Sequence, residues 1–406
     1  MTFSAKKWLK IALLNLLIVV GIGAILRYKI AYSLPFIDQK HLLHGHSHFA
    51  FAGWITQALM IFLVDYLAKQ KNDAALLKKY DWLLKANLFT AYAMLITFPI
   101  EGYGLFSIIA STLSIIVGYI FAVVFWKDLN RLNTKNISHL WFKAALALNA
   151  FSSLGAFALA FMMVKKVVHQ NWYLASEYFY LHFQYNGWFF FACMGLLMAK
   201  FPAAVLQKKL HTIFILFVLA VVPAYFLSAL WMNIPTWVYV LVILAAIMQV
   251  WGWALTINIV KNELVHFKES LTVVGRWILI LSGIALSIKF LLQLGSTIPS
   301  LSTLAFGFRP IVIGYLHLVL LGVITLFLLG NMFANKIIAS NKNTIISVTL
   351  FSIGVIINEF FLMAQGVAAL YYTNLPYINE ALLVTALVMF CSMLILFLNY
   401  KEVKNK

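Results

Sequence analysis

The stretch WLKIALLNLLIVVGIGAIL, residues 8–26, decides the fold class of this chain. It contains one charged residue, Lys10, and an α-helix of this length crosses the roughly 30 Å hydrocarbon layer of a bilayer. Similar stretches recur along all 406 residues, of which 64% are hydrophobic and 10% charged. We therefore predict an all-α polytopic membrane protein, a bundle of twelve transmembrane helices forming a single domain over residues 1–406. The predicted spans are 8–26, 47–67, 82–102, 104–126, 139–164, 176–200, 211–232, 235–260, 273–293, 308–331, 343–367 and 380–400.

The net charge of +18 follows this predicted topology. When the twelve spans alternate across the membrane, one side holds only seven of the 30 lysines and arginines. These seven are Arg27, Lys29, Lys40, Lys165, Lys166, Lys289 and Arg309. Positive residues favour the cytoplasmic side, so both termini are predicted to be cytoplasmic, as in a multi-pass protein of the bacterial inner membrane. The basic charge then needs no nucleic-acid partner, and the lipid bilayer is the expected surroundings.

Ionisable residues within the spans are the candidates for function. Each costs at least ~2.5 kcal/mol in the bilayer centre, so each predicts a partner or a role. The topology places three histidines of three even-numbered spans, His48, His182 and His317, in the same outer half of the membrane. Glu101, Lys289, Arg309 and Glu359 fall in that layer too. This agreement in depth favours one buried site over scattered structural histidines.

The second span opens with a run of histidines, KHLLHGHSHFAFAGW at residues 40–54. On a helix His44 and His48 share a face, whereas His46 points about 160° away. His44 and His46 are either further metal ligands or residues that precede the helix and cap its outer mouth. Imidazole suits iron, copper and zinc, and an opposed pair of histidines holds low-spin haem. Lys289 and Arg309 either pair with haem propionates or extend to lipid headgroups.

Three short motifs resemble the catalytic subunit of the haem–copper oxidase superfamily, in particular its nitric oxide reductase branch. HSHFAFAGW at residues 46–54 is similar to the histidine-led motif of its second helix, and YLHLVLLG at 315–322 is similar to that of its tenth. HFQYNG at 182–187 resembles the sixth-helix motif. The resemblance implies a low-spin haem b on His48 and His317. It also implies a second centre, either another haem or a non-haem copper or iron ligated by His182.

The chain departs from the family pattern around that second centre. Tyr315 stands where the family has its high-spin haem ligand, and Asn186 stands where the reductases have a glutamate. The outer end of the seventh span, YFLSALWMN at residues 225–233, lacks the two adjacent histidines of the family. Membrane haem and copper proteins of the NnrS type are similar in size and in their sparse histidines. The low-spin pair is thus matched better than the reaction centre.

Three hypotheses follow. The first is a redox enzyme that reduces nitric oxide or another small gas, with Glu101 or Glu359 delivering protons and Tyr315 at the reaction centre. It would need a cytochrome c-type subunit or a quinol as electron donor. The second is a non-catalytic protein that binds haem or copper for sensing, storage or assembly. The third is a small-solute transporter, which predicts broken helices, yet the histidine-bearing spans contain no internal proline or paired glycines.

Overall fold

The computed structural model describes residues 3–73, 75–132, 136–201, 203–302 and 308–400, and it is built of helices. Ten helices in this part of the chain are long and apolar enough to cross a membrane. The protein is therefore a polytopic helical membrane protein that lies in a lipid bilayer.

The helices are labelled in chain order. They are α1 (Phe3–Ala31), α2 (Gln39–Lys71), α3 (Leu76–Glu101), α4 (Leu105–Asn130), α5 (Ser138–Val164), α6 (170–198), α7 (Ala203–Ala220), α8 (Thr236–Asn262), the short α9 (Leu264–Ser270), α10 (Val273–Gly295), α11 (Arg309–Ala334), α12 (Lys342–Leu370) and α13 (Ile378–Leu398).

Two of the predicted spans, 176–200 and 211–232, are not among the ten. They correspond to α6 and α7, and both depart from a uniform apolar helix. Gln184 and Asn186 lower the hydropathy of α6 in its middle. α7 ends at Ala220, and Pro223 then begins a short 3₁₀ helix, Pro223–Ser228, because proline has no N–H to continue the α-helical ladder. The described part of the chain thus has ten helices that could cross a membrane, and the twelve spans stay a prediction.

The chain divides into two compact units, and the single domain over residues 1–406 stays a prediction. The first consists of Met1–Leu132, Ser270–Leu281 and Thr325–Lys406, and the second of Asn133–Glu269 and Ser282–Ile324. Two of the boundaries, after Leu281 and after Ile324, fall inside α10 and α11, so each of these two helices has residues in both units. In the first unit α13 packs on α1 and α12, and α3 packs on α2 and α4. In the second unit α6 packs on α5, and α8 packs on α7.

α2 begins eight residues before the predicted span, and its start is fixed by a capping side chain. The carboxylate of Asp38 accepts a hydrogen bond from the backbone N–H of His41 at 2.8 Å. This bond stabilises the charged form and lowers the pKa of Asp38. The whole run from His41 to His48 is therefore helical.

A glycine allows α2 to approach α3 closely beside these histidines. A Cβ atom at Gly45 would lie 2.9 Å from both Cδ and Cγ of Pro99, which lies within α3. The proline ring is fixed to its backbone and has no rotamer to move away. Gly45 therefore sets the distance between the histidine-bearing turn of α2 and the C-terminal end of α3.

We expect Gly45→Ala to lower stability by up to ~2 kcal/mol, since overpacking costs ~1–3 kcal/mol and alanine recovers up to ~1 kcal/mol in a helix. Gly283→Ala in α10 is the matched control, because the nearest atom to its added Cβ is 3.7 Å away. This control should keep or raise the thermal unfolding midpoint of the protein in detergent. Equal midpoints for the two variants would contradict the close packing of α2 on α3.

Candidate functional site

Three helices lose α-helical geometry at the same place relative to a histidine. π-Helical segments lie at Ala50–Thr56 in α2, at Phe183–Phe189 in α6 and at Leu318–Thr325 in α11. They begin one or two residues after His48, His182 and His317. Segments of this kind are rare, and they occur frequently at functional sites. These spans contain no internal proline or paired glycines, so uninterrupted helices are predicted for them, and the π-helical segments differ from that prediction.

The wider turn of a π-helix changes which backbone carbonyls are bonded within the helix, and side chains bind some of them here. Asn15 donates to the carbonyl of Gly53 at 2.5 Å, and Asn87 donates to that of Ala52 at 3.0 Å. In α11 the hydroxyl of Ser282 donates to the carbonyl of Val323 at 2.8 Å. Buried polar groups need such partners, so these side chains stabilise the interrupted geometry.

A shared spacing accompanies the three π-helical segments and could have been found in the sequence. Each histidine is followed five residues later by a glycine, and the pairs are His48 and Gly53, His182 and Gly187, and His317 and Gly322. A tryptophan, Trp54 or Trp188, comes next in the first two cases. The three motifs thus share one pattern in sequence and a π-helical segment in structure, whereas the hydrogen bonds of the three imidazole rings differ.

In the first unit, His44 and His48 lie on one face of α2 against the C-terminal end of α3. The ring of His48 stacks on Phe98, with centroids 4.2 Å apart and planes 7° apart, and its Nε2 lies 3.5 Å from the Tyr103 hydroxyl. The ring of His44 meets Tyr103 edge-on at 4.7 Å. Its buried Nε2 has no hydrogen-bond partner in the described residues. On this face, the Nε2 atoms of His44 and His48 therefore have at most a long hydrogen bond to the protein.

His46 lies on the opposite side of α2, as predicted from helical spacing. A Cβ added at Gly23 of α1 would lie 3.5 Å from its Cε1 atom. Because α2 begins at Gln39, His44 and His46 belong to the helix and do not precede it. Their role as metal ligands stays a prediction.

His317 in the second unit has a defined tautomer. Its Nδ1 lies 2.8 Å from the carbonyl oxygen of Ile313, one turn earlier in α11. A carbonyl can only accept, so Nδ1 carries the proton and Nε2 carries the lone pair. A histidine that ligates a metal commonly donates its other N–H to such an acceptor, which fixes the ring orientation.

His182 has a structural role in the second unit. It is fully buried, and its Nε2–H donates to the carbonyl of Val221 at 2.8 Å. Val221 follows the last residue of α7, where carbonyls lack intrahelical partners. The other nitrogen, Nδ1, accepts from the side-chain amide of Asn186 at 3.1 Å. Both ring nitrogens thus bind protein atoms, and the predicted role as a metal ligand would require His182 to release one of them.

The two predicted proton carriers lie in the first unit and have different partners. Glu101 accepts a hydrogen bond from the backbone N–H of Ser107 at 2.6 Å, which ties the carboxylate to the first turn of α4. Glu359 in α12 accepts from the side-chain amide of Asn358 at 3.1 Å, and its charge attracts that of Arg27. Glu101 thus accepts a hydrogen bond from the first turn of α4, whereas Glu359 lies within α12 and interacts electrostatically with Arg27.

The remaining predicted residues lie in the second unit. Tyr315 packs near Tyr185, with ring centroids 6.3 Å apart. Arg309 is exposed at the first turn of α11, where it can reach headgroups or a propionate. Lys289 is buried among aromatic rings instead.

Potential metal ligands can also lie together in groups of three or more side chains. Across residues 3–73, 75–132, 136–201, 203–302 and 308–400, no three side chains of histidine, cysteine, aspartate or glutamate are grouped to share a metal ion. His44 and His48 belong to the first unit, and His182 and His317 belong to the second. No protein-family model matches this chain, and no curated protein matches it at a significant level.

Proposed function

We propose that this protein binds haem in the bacterial inner membrane and transfers electrons there, with twelve spans and both termini in the cytoplasm. His48 and His317 are the residues that would hold a low-spin haem b. The observation that carries the proposal is the π-helical segment that follows His48 and the one that follows His317, because such segments concentrate at functional sites. His182 is followed by a π-helical segment too, but both of its ring nitrogens bind protein atoms, so it is not among the proposed haem ligands. The motif resemblance to the haem–copper oxidases supports the same residues.

The donor atoms fit this proposal to different degrees. His317 fits well, since its proton is held on Nδ1 by Ile313 and its lone pair is on Nε2. His48 also fits, because 3.5 Å is a long contact between an imidazole nitrogen and a hydroxyl and competes weakly with a metal. Arg309, exposed at the start of α11, fits a propionate better than the buried Lys289 does.

The residues of this chain would hold and orient the group. Bound haem would supply one-electron redox chemistry. Ile313 would keep the His317 ring in one orientation, and Phe98 would do the same for His48 by stacking. The apolar helices would exclude water from both rings.

A protein that binds haem or copper without catalysing a reaction, whether for electron transfer or for sensing, storage or assembly, has stronger support than an enzyme. Both nitrogens of His182 bind protein atoms, which disfavours a second copper or iron centre at this residue. An enzyme reducing nitric oxide or another small gas would also need proton delivery through Glu359, reaction at Tyr315 and electrons from a cytochrome c-type subunit or a quinol. A transporter is the remaining alternative.

An absorption spectrum of the detergent-purified protein, with iron and copper analysis, tests the proposal. We expect a reduced-minus-oxidised haem b spectrum with about one iron for each chain. A spectrum unchanged by carbon monoxide after reduction would support the non-catalytic form, because carbon monoxide binds only an open iron position. Colourless, iron-free protein from cells supplied with haem would overturn the proposal and favour the transporter.

A further inference from the structure

Lys289 is a buried cation in the second unit. Its side chain is 2% exposed, in the half of α10 that belongs to this unit. The ammonium nitrogen lies 4.2 Å from the ring centroid of Phe290 and 5.7 Å from that of Phe190. Phe217 packs on both rings, 5.0 Å from Phe190 and 5.7 Å from Phe290. The charge is therefore surrounded by aromatic faces, which attract a cation only weakly compared with a carboxylate.

A counter-charge for Lys289 is missing from the described part of the chain, where none of the ion pairs includes this residue. The titratable side chain that interacts with it electrostatically is His182. A buried charge without a partner is costly, so the site is incomplete as the protein alone presents it.

A second buried polar side chain, which lacks a hydrogen-bond partner for one of its atoms, lies on the same helix face. Gln293 is one turn after Lys289 and is 6% exposed, and its Oε1 has no hydrogen-bond partner in the described residues. Residues four apart on a helix are neighbours. A rotation of the side-chain amide of Gln293 by 180° exchanges its oxygen and nitrogen, so that N–H donors lie where the oxygen is placed now.

We propose that Lys289 and Gln293 bind a small monovalent anion of the size of nitrate or bromide. One ammonium balances one negative charge, so a divalent anion would bring an uncompensated charge into an apolar site. The aromatic walls cannot replace a hydration shell, which favours weakly hydrated ions over sulfate. The site does not depend on the haem proposal, because the residues that carry it lie in the second unit and include neither His48 nor His317.

Isothermal titration calorimetry of the detergent-purified full chain with sodium nitrate, in a chloride-free buffer, tests this site. Nitrate and bromide are suitable probes because they are poor ligands of haem iron. We expect saturable binding of one nitrate for each chain, and little heat from sulfate. Lys289→Met should weaken nitrate binding at least ~10-fold, the usual effect of losing a charge-assisted hydrogen bond. Lys165→Met, at an exposed lysine of the same unit, should leave it unchanged.

Gln293→Glu keeps the test valid if Lys289→Met does not fold. A carboxylate one turn from Lys289 would supply an internal counter-ion, so this variant should lose nitrate binding and unfold at a higher temperature. Unchanged nitrate binding in a folded Lys289 or Gln293 variant would overturn the proposal, as would the absence of saturable heat in the wild type. Nitrate binding that disappears when haem is loaded would also overturn it, because the occupant would then be a propionate.

Discussion

His317→Ala should abolish the haem absorption spectrum of the purified protein. The Nδ1–H of His317 is held by the carbonyl of Ile313, so its Nε2 lone pair has one orientation. His48→Ala should have the same effect, because a low-spin haem needs a ligand on each side of the iron. The measurement is the reduced-minus-oxidised spectrum, normalised to protein and accompanied by the iron content.

Two further histidine variants make this prediction specific. His211→Ala, at an exposed position of α7, should retain the full spectrum and serves as the control for general loss of histidine. His182→Ala should retain haem but lower the thermal midpoint, since it leaves the buried Val221 carbonyl without its partner, at a cost of ~1–3 kcal/mol. Loss of haem in His182→Ala, with retention in His317→Ala, would reverse the proposed roles.

The long helices could be predicted because their cause is local. A stretch such as residues 8–26 has no way to satisfy its backbone in lipid except as a helix, and α1 contains it. The orientation of His44 and His48 to one side and His46 to the other also follows from helical periodicity alone. The start of α2 needed the Asp38 cap, a polar signal that lies outside the apolar run used to place the span.

The candidate site was less predictable, because its features depend on packing. The π-helical segments have ordinary apolar composition, and the hydrogen bonds from Asn15 and Asn87 that accompany them come from other helices. The hydrogen bond from His182 to the Val221 carbonyl could not be predicted either, since the two residues are 39 positions apart. Depth in the membrane grouped His182 with His48 and His317, but depth alone does not tell a hydrogen-bonded imidazole from a ligand.

Asp128→Leu should be the most destabilising single substitution that we predict, at about 4 kcal/mol. The carboxylate is 1% exposed and lies 2.6 Å from Lys79 Nζ and 2.7 Å from the Tyr80 hydroxyl. Lys71 and Arg131 lie 4.0 and 3.6 Å away, so one anion joins groups on α2, on α3 and just after α4. Leucine would remove the charge-assisted bonds, at ~1.5–3 kcal/mol, and leave the buried Tyr80 hydroxyl unpaired, at a further ~1–3 kcal/mol.

Asp128→Asn removes the negative charge but keeps a hydrogen-bond acceptor, so it separates the two contributions of this side chain to stability. Asparagine keeps an acceptor for Tyr80, so we expect a smaller loss of about 2 kcal/mol, which high salt should reduce because Lys79 and Arg131 are partly exposed. Asp81→Asn is the same change at an exposed ion pair with Lys85, 2.6 Å away, and it keeps an acceptor for Trp8. It should cost at most ~1 kcal/mol. The thermal unfolding midpoints of the variants in detergent, at low and at high salt, measure the difference. Equal losses of stability for Asp81→Asn and Asp128→Asn would show that burial does not increase the contribution of Asp128 to stability.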